Sequence, residues 1–531
     1  MYIDVVPNRS SPPAILLRES LRQNNKIRKR TLANLSHWTP QRVEALRRAL
    51  RGEFDQEAAP EPVCGPVFGV LYTLKQVADE VGLSAVLGKN LKGKLALFLT
   101  LARIAHQGSR LSAVRWAKEH AVAEVLGVSE FDEDDLYSVL TDLAKRQDKI
   151  EQALYKRYVK KHGSAPALFL YDVTSTYLEG EHNELGEFGY NRDGKRGKQQ
   201  VVFGLLTEAE GEPLAVRVFA GNTADPSTVP EQIELLKRRF KAQEVVLVGD
   251  RGMIKSSGKQ ALAEARLRYI TALTDPQIRK LLKRGTLQLA LFEEKVCEVQ
   301  GQGVRYILRK NEARARQEHH RVQDKLEKLQ ARVTARNQRV DCSSRCRPEV
   351  GVRQLQEWVK RHKVNAFVTL KLEDTKITLQ IDAAARDKAM ELAGCYVIET
   401  DVPQELLNAQ TAHDRYKDLA GLEHDLRTLK SGLLEVRPVF VRKEARTRGH
   451  IFVCMLALKI SREIHKRLAA AFGTTDTAPH GVTLKDALAS LGRLCLMTYR
   501  VNASCAFTRL PRPDESQTRL LEALRVSLPQ R

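Results

Sequence analysis

At 531 residues the chain is too long for one ordinary core, and domains of roughly 100–200 residues imply three or more units. With 43% hydrophobic residues and apolar periodicity in nearly every quarter, it is not a disordered polypeptide. Its 87 Lys+Arg against 65 Asp+Glu leave a formal charge of +22, which points to a polyanionic partner, nucleic acid first, or else to a basic protein with solvated Lys/Arg faces.

Residues 1–65 read as a polar, basic arm containing Arg22, Lys26, Arg28, Lys29 and Arg30, followed by a short helix with Thr39 as N-cap and Pro40 at its first position. Met1 to Leu17 lacks a basic segment followed by an apolar signal core, so a soluble, cytoplasmic chain, nucleoid-associated in a prokaryote, is expected. Residues 66–163 carry helical periodicity from about Thr73 to Lys161, broken at Gly82, Gly93, Gly108 and Gly127. This is either a DNA-binding unit with a helix-turn-helix around Ala117 to Tyr137 or a plain helical packing domain. Its Leu95 to Ile104 is the longest apolar run and is too short to span a bilayer.

The pattern changes at residue 164, where a first catalytic segment, 164–275, is expected. Leu168-Phe169-Leu170-Tyr171 reads as a buried strand ending on Asp172, and Gln200 to Thr207 with Leu214 to Phe219 form a hairpin. A helix with a capping box at Thr228 to Glu231 runs to Phe240. A strand Val245 to Val248 ends at Gly249-Asp250, and a helix (Ser257 to Ala265) and a strand (Tyr269 to Leu273) follow. Three antiparallel strands, helix, strand, helix, strand is the order of a ribonuclease-H-like sheet, whose first and fourth strands are neighbours. That order places Asp172 and Asp250 within shared metal reach.

Residues 276–394 read as a β-rich insertion, with strand-like pieces at Glu294 to Leu308 and Ala366 to Ile381. Between them lies a long basic helix, Asn311 to Val340, with Val322, Leu326, Leu329 and Val333 at heptad-like spacing. Residues 395–472 resume the catalytic core with a strand at Cys395 to Glu399, a helix carrying Glu423 and another from Gly449 to Leu468; residues 473–531 form a helical tail (Leu484 to Leu494). The fold class is thus multidomain α+β, a ribonuclease-H-like mixed sheet with flanking helices, interrupted by the insertion and preceded by a helical region. The eight cysteines are scattered and suit a reducing compartment; Cys342 and Cys346, the only close pair, lack further zinc ligands nearby and read as structural or incidental.

Cutting a phosphodiester and joining the freed 3′-hydroxyl elsewhere calls for hard cations held by carboxylates, and two such ions can clamp both sides of an in-line displacement. The segments Tyr171-Asp172-Val173-Thr174-Ser175-Thr176-Tyr177, Gly189-Tyr190-Asn191-Arg192-Asp193, Gly221-Asn222-Thr223-Ala224-Asp225 and Gly249-Asp250-Arg251-Gly252-Met253 resemble the DDE insertion-sequence transposases of the IS-four type, over about Ala167 to Leu468. That group's signature of tyrosine, arginine, glutamate and lysine is met here by Tyr416, Glu423 and Lys430, with Leu419 where the arginine belongs and Arg415 or Arg427 as substitutes. As one helix, Tyr416, Glu423, Arg427 and Lys430 fall within an arc of roughly 60°, beside an apolar stripe of Leu419, Leu422, Leu426, Leu429 and Leu433.

The resemblance implies a cut-and-paste DNA transposase with Asp172, Asp250 and Glu423 as catalytic metal ligands for Mg²⁺, with Mn²⁺ as substitute and two ions in the family's manner. It implies Tyr416, Lys430, Arg427 and Arg437 as DNA contacts, double-stranded DNA (terminal inverted repeats and target) as partner, and a homodimer on paired ends. It also implies an aromatic in the insertion that stacks a flipped base; Trp358, its only tryptophan, fills that part or is core. Asn222, Asp225, Arg251 and His450 are supporting candidates, with turn-forming or packing roles as the alternatives. Glu435 and Glu444 rival Glu423. A catalytically inactive regulator and a nuclease without strand transfer are the other functional readings.

Overall fold

The computed structural model describes the chain except residues 10, 24–25, 54–60, 243–244, 343–346, 431–433, 438, 474–480, 503–504 and 530–531. Cys346 and Leu433 therefore lie outside the described residues. The N-terminal arm is in fact an antiparallel sheet of β1 (Tyr2–Val6), β2 (Ala14–Gln23) and β3 (Lys26–Asn34), followed by α1 (Pro40–Leu50). Its charged residues give no alternating apolar pattern, and none is needed, because backbone pairing between neighbouring strands does not require an apolar face. Thr39 is extended and Pro40 opens α1 as expected, although Thr39 makes no side-chain cap.

After β4 (Glu61–Val67) comes a bundle of α2 (Gly69–Glu80), α3 (Leu83–Leu87), α4 (Leu91–Ala105), α5 (Arg110–Glu119), α6 (Val122–Leu126) and α7 (Glu133–His162). Gly82 and Gly127 take positive φ at helix ends. Gly93 does not break a helix: it sits inside α4, where a Cβ would come within 2.2 Å of the Gly88 carbonyl oxygen.

The catalytic segment supplies β5 (Leu168–Tyr177), β6 (Gln200–Glu208), β7 (Pro213–Ala220), α8 (Val229–Glu234), β8 (Val246–Gly249), α9 (Ser256–Glu264) and β9 (Arg268–Ala272). Strands β5, β6 and β7 form an antiparallel meander, while β8 lies parallel to both β5 and β9. The spatial order β7-β6-β5-β8-β9 is the ribonuclease-H-like arrangement. The capping box at Thr228 is absent; its hydroxyl donates to the Asp225 carbonyl in a tight turn that precedes α8.

The insertion departs most from expectation. It contains α10 (Asp275–Lys283), β10 (Cys297–Gln300), β11 (Arg305–Lys310), α11 (Glu312–Cys342), α12 (Pro348–Arg361), the hairpin β12 (Val368–Glu373) and β13 (Lys376–Ile381), and α13 (Ala383–Met390). Strands β10 and β11 belong to the main sheet: β14 (Cys395–Thr400) pairs with β9 on one side and β11 on the other, giving eight strands. What remains outside the sheet is mainly helical. Leu326, Leu329 and Val333 of α11 pack against Leu355 and Val359 of α12 and Ile377 of the hairpin, so the heptad-like stripe serves a local core.

Beyond the sheet follow α14 (Ala409–Lys417), α15 (Leu419–Lys430), α16 (Glu444–Phe472), α17 (Leu484–Leu491), β15 (Cys495–Asn502), β16 (Cys505–Arg509) and α18 (Glu515–Ala523). The tail is not all helical: β15 pairs with β16 and, antiparallel, with β4. Helix α16 is the molecule's central strut, apolar on nearly all sides, with Phe452, Met455 and Leu456 fully buried. It packs on α4, α7, β7 and α15, so the helical bundle and the sheet share one core. At Gly449 the crossing with α7 is so close that a Cβ would stand 2.0 Å from the Leu140 carbonyl oxygen. Buried Glu151 of α7 also accepts from Arg217 of β7 at 2.8 Å, which fixes the bundle to the sheet. Among the described residues no helix is long and apolar enough to cross a membrane.

Candidate active site

The parallel pairing of β5 and β8 aligns Tyr171 with Gly249, so the next residue of each chain, Asp172 and Asp250, emerges at the same level of the sheet. Burial on both faces forces these strands to be apolar, and the two aspartates interrupt that rule side by side. Asp172 is half-buried, its Oδ1 accepting from the Val173 N–H at 2.7 Å. Asp250 is oriented by Tyr416, whose hydroxyl donates to Oδ1 at 3.1 Å.

Helix α15 lies on β5, burying Leu419, Leu422, Leu426 and Leu429 and leaving Glu423 and Arg427 on its open side. Leu419, in the signature's arginine position, is thus a core residue. The continuous helix expected through Tyr416 and Lys430 is interrupted at Asp418, where the Gly421 N–H bonds the Asp418 carbonyl. Tyr416 therefore belongs to α14 and Glu423 to α15, and both act on Asp250.

The electrostatics tie the three carboxylates together. Burial, aided by the charges of Asp250 and Glu423, raises Asp172 to about 7 against the Val173 N–H and the Arg192 guanidinium. Glu423 is raised by burial and by Asp250, with Arg427 opposing. Burial and Asp250 likewise raise the Tyr416 phenol. Among the described residues no three carboxylate, imidazole or thiol groups are drawn to ligand spacing. The hard oxygen donors of Asp172, Asp250 and Glu423 are nevertheless of the type a divalent ion takes.

Because folding raises Asp172, its stabilising effect is complete below the ordinary carboxylate range and is lost as pH rises to about 7. In metal-free protein the melting temperature is expected to fall with pH across that window. Asp172→Asn should flatten this fall; a variant with the wild-type pH profile would contradict the coupling.

A second cluster stands beside the first. The loop between β5 and β6 returns along residues 439–442, through a bridge from Leu178 to Val439 and the Glu184 N–H bonded to Arg442. It buries Asp193, whose side chain is 3% exposed and whose Oδ1 accepts from Lys430 Nζ at 3.0 Å and lies 2.7 Å from Arg437 Nη1. Arg437 also covers the Tyr177 ring at 5.6 Å. Arg192 pairs with Asp225 and covers Tyr190, which is 81% exposed. Arg192 and Asp193 lie in the Gly189 to Asp193 motif but carry no signal of their own in the sequence, because only the loop's return brings them to the carboxylates.

Other candidates lie elsewhere. Asn222 is exposed in a turn, and Arg251 pairs with Asp275 at 3.1 Å. His450 is buried, accepts from Arg110 at Nδ1 and donates from Nε2 to the Val436 carbonyl; burial first, then Arg110, hold its pKa well below the usual value, a packing role. Trp358 stacks on His362 at 3.8 Å in the insertion's own core, and its recorded contacts do not include the carboxylates. Glu444 is the first residue of α16, its N–H donating to the Glu184 carboxylate and its own carboxylate pairing with Arg448.

Residues 163–460 match the family model described as the transposase DDE domain, more than half of the chain. The chain belongs to the DDE transposases. It is therefore a DNA-cleaving and strand-transferring enzyme of the insertion-sequence kind, and residues 3–62 match the N-terminal domain of IS1634 family transposases. No curated protein matched this transposase. Among solved structures it is similar to a piggyBac transposase synaptic complex with hairpin DNA, at 9% identity over 75% of this chain and 72% of that one, TM-score 0.34. A Mos1 transposase paired-end complex with left transposon end gives 11% identity, 34% and 58% coverage and TM-score 0.15. The Mos1 strand transfer complex gives 12%, 44%, 68% and 0.15. The transposase assignment rests on the sequence match.

Proposed function

We propose that this transposase, of the IS-four type, binds the terminal inverted repeats of its own element, cuts them and joins the 3′-hydroxyl ends to target DNA. The observation that carries this reading is the level pairing of Asp172 and Asp250 on adjacent parallel strands, with Glu423 delivered by a helix packed on β5. Asp172, Asp250 and Glu423 would hold Mg²⁺, or Mn²⁺ in its place, as two ions. Bound there, the metal would activate the attacking water or 3′-hydroxyl and stabilise the leaving oxygen. The raised Asp172 supports this: burial first, then the charges of Asp250 and Glu423, disfavour its ionised form, which a bound cation would favour again.

The remaining residues position DNA. Tyr416 keeps the Asp250 carboxylate turned, while Lys430 and Arg437 present fixed positive charge beside the site for a phosphate. Arg427 lies on the same open side of α15 as Glu423. Trp358 borders a cavity of about 400 Å³ with Arg332, Arg336, Arg339 and Arg361, a basic and aromatic setting that supports contact with DNA. Paired ends held by a homodimer complete the reading.

The test is a fragment bearing the gene's flanking sequences, incubated with protein and Mg²⁺. Nicks at repeat boundaries and joined products are expected. Nicks without joining would reduce the chain to a nuclease, and binding without nicks would make it a regulator. Asp193→Asn is expected to slow cleavage by about 10–100-fold, as when a group orienting an active-site residue is lost. Metal-induced stabilisation should stay at the wild-type level, since Asp193 acts through Lys430 and Arg437. Loss of that stabilisation would instead place Asp193 among the ligands.

A further inference from the structure

Among the described residues the N-terminal sheet leaves one piece of structure without a third strand beside it. Strand β1 pairs with β2 only from Ala14 to Arg18, whereas β2 and β3 stay paired through Glu19↔Arg30, Ser20↔Lys29, Leu21↔Arg28 and Arg22↔Ile27 to Gln23↔Lys26. Five residue pairs thus project beyond the third strand as a bare ribbon, about 17 Å long at roughly 3.4 Å per residue. A lone two-stranded ribbon is marginal in water, yet Leu21 is 46% and Ile27 71% exposed.

The ribbon's charge identifies its partner. From Arg18 to Arg30 the sequence holds six Lys or Arg against a single acidic residue, Glu19. Arg18 and Lys29 lean on Asp4 at 2.8 and 3.8 Å, and Arg30 reaches Glu19 at 3.7 Å; among the described residues no carboxylate pairs with Arg22 or Arg28. Cross-strand partners share a face, so Arg28 and Arg30 lie on one side with Leu21, and Arg22 and Lys29 on the other with Ile27. A flat acidic surface would satisfy one face only. Two anionic walls satisfy both, and a ribbon with side chains, roughly 10 Å thick, fits the roughly 12 Å major groove of duplex DNA.

We propose that the β2–β3 ribbon enters a groove of duplex DNA, with Arg22, Lys29, Arg28 and Arg30 reaching phosphates on both walls and Leu21 and Ile27, on the same two faces, covered by those walls. The inference rests on the reading of the chain as an enzyme acting on DNA, but not on the carboxylates. It is tested with the full chain by fluorescence anisotropy over a salt series, using a duplex of about 30 base pairs of arbitrary sequence and a single strand of equal length. Arg22→Gln with Arg28→Gln is expected to weaken duplex binding about tenfold and to make the log–log salt slope shallower by about 2, since each phosphate contact contributes roughly one. Lys237→Gln with Arg238→Gln removes the same charge from exposed positions on the catalytic domain and should leave the slope unchanged. An unchanged slope in the ribbon variant, an equal loss in the control, or equal weakening on the single strand would overturn the proposal. Duplex binding that depends on the ribbon in a chain that cuts no DNA would sink the proposed function and leave the ribbon standing; intact cleavage with a ribbon-independent slope would do the reverse.

Discussion

Asp172→Asn and Asp250→Asn are each expected to lower strand cleavage by about 10³-fold or more, equivalent to roughly 4 kcal/mol of transition-state stabilisation, while end binding changes less than about twofold. Asparagine keeps the size of the side chain and an oxygen that can accept from the Val173 N–H or the Tyr416 hydroxyl, so the local hydrogen bonds survive. What is lost is the negative charge that a cation needs. The basic surfaces that hold DNA are untouched, so affinity and chemistry should separate cleanly. Cleavage of a labelled duplex carrying the flanking repeats, with binding followed by anisotropy, reads both. Wild-type cutting by either variant would dissolve the proposed metal site.

The third carboxylate gives the second large effect. Glu423→Gln should bind ends and fail to cut them in Mg²⁺ or Mn²⁺, with a loss of the same order as for the aspartates. Glu435→Gln is the control. Glu435 is exposed in the turn after α15 at φ 39°, held through its backbone carbonyl by Arg103, and its carboxylate makes no recorded contact with Asp172 or Asp250. It should cut like wild type. An active Glu423→Gln beside an inactive Glu435→Gln would show that the glutamate was wrongly chosen.

The half of the sheet that holds the aspartates was legible because its signals are local. Leu168 to Tyr171 and Val245 to Val248 are continuous apolar runs that end on an acid, and the hairpin between residues 200 and 220 announces itself by its turn. In the other half the strand-like runs at Glu294 to Leu308 and Cys395 to Glu399 could be read but not their place, since β11 joins the main sheet only by pairing with β14, nearly a hundred residues on, and β10 only by pairing with β11. The break at Asp418 was invisible for a different reason. The leucines of α15 continue the helical spacing of α14, so periodicity cannot register one residue of tighter winding. Asp193 escaped because an aspartate in a loop reads as a turn former until its partners, Lys430 and Arg437, arrive from the far end of the domain.

The pairing of β4 with β15 has a bearing on synthesis. Strand β4 leaves the ribosome more than four hundred residues ahead of its partner, about 20–90 s at roughly 5–20 residues per second. Throughout that interval β4 is an open edge, the sort of surface on which nascent chains stick to one another. Its sequence, Glu-Pro-Val-Cys-Gly-Pro-Val, carries two prolines that cannot donate to an intruding strand. The edge is thus guarded while translation runs, and the sheet closes only when β15 emerges, so a message cut short upstream of β15 yields a chain whose β4 never acquires its neighbour.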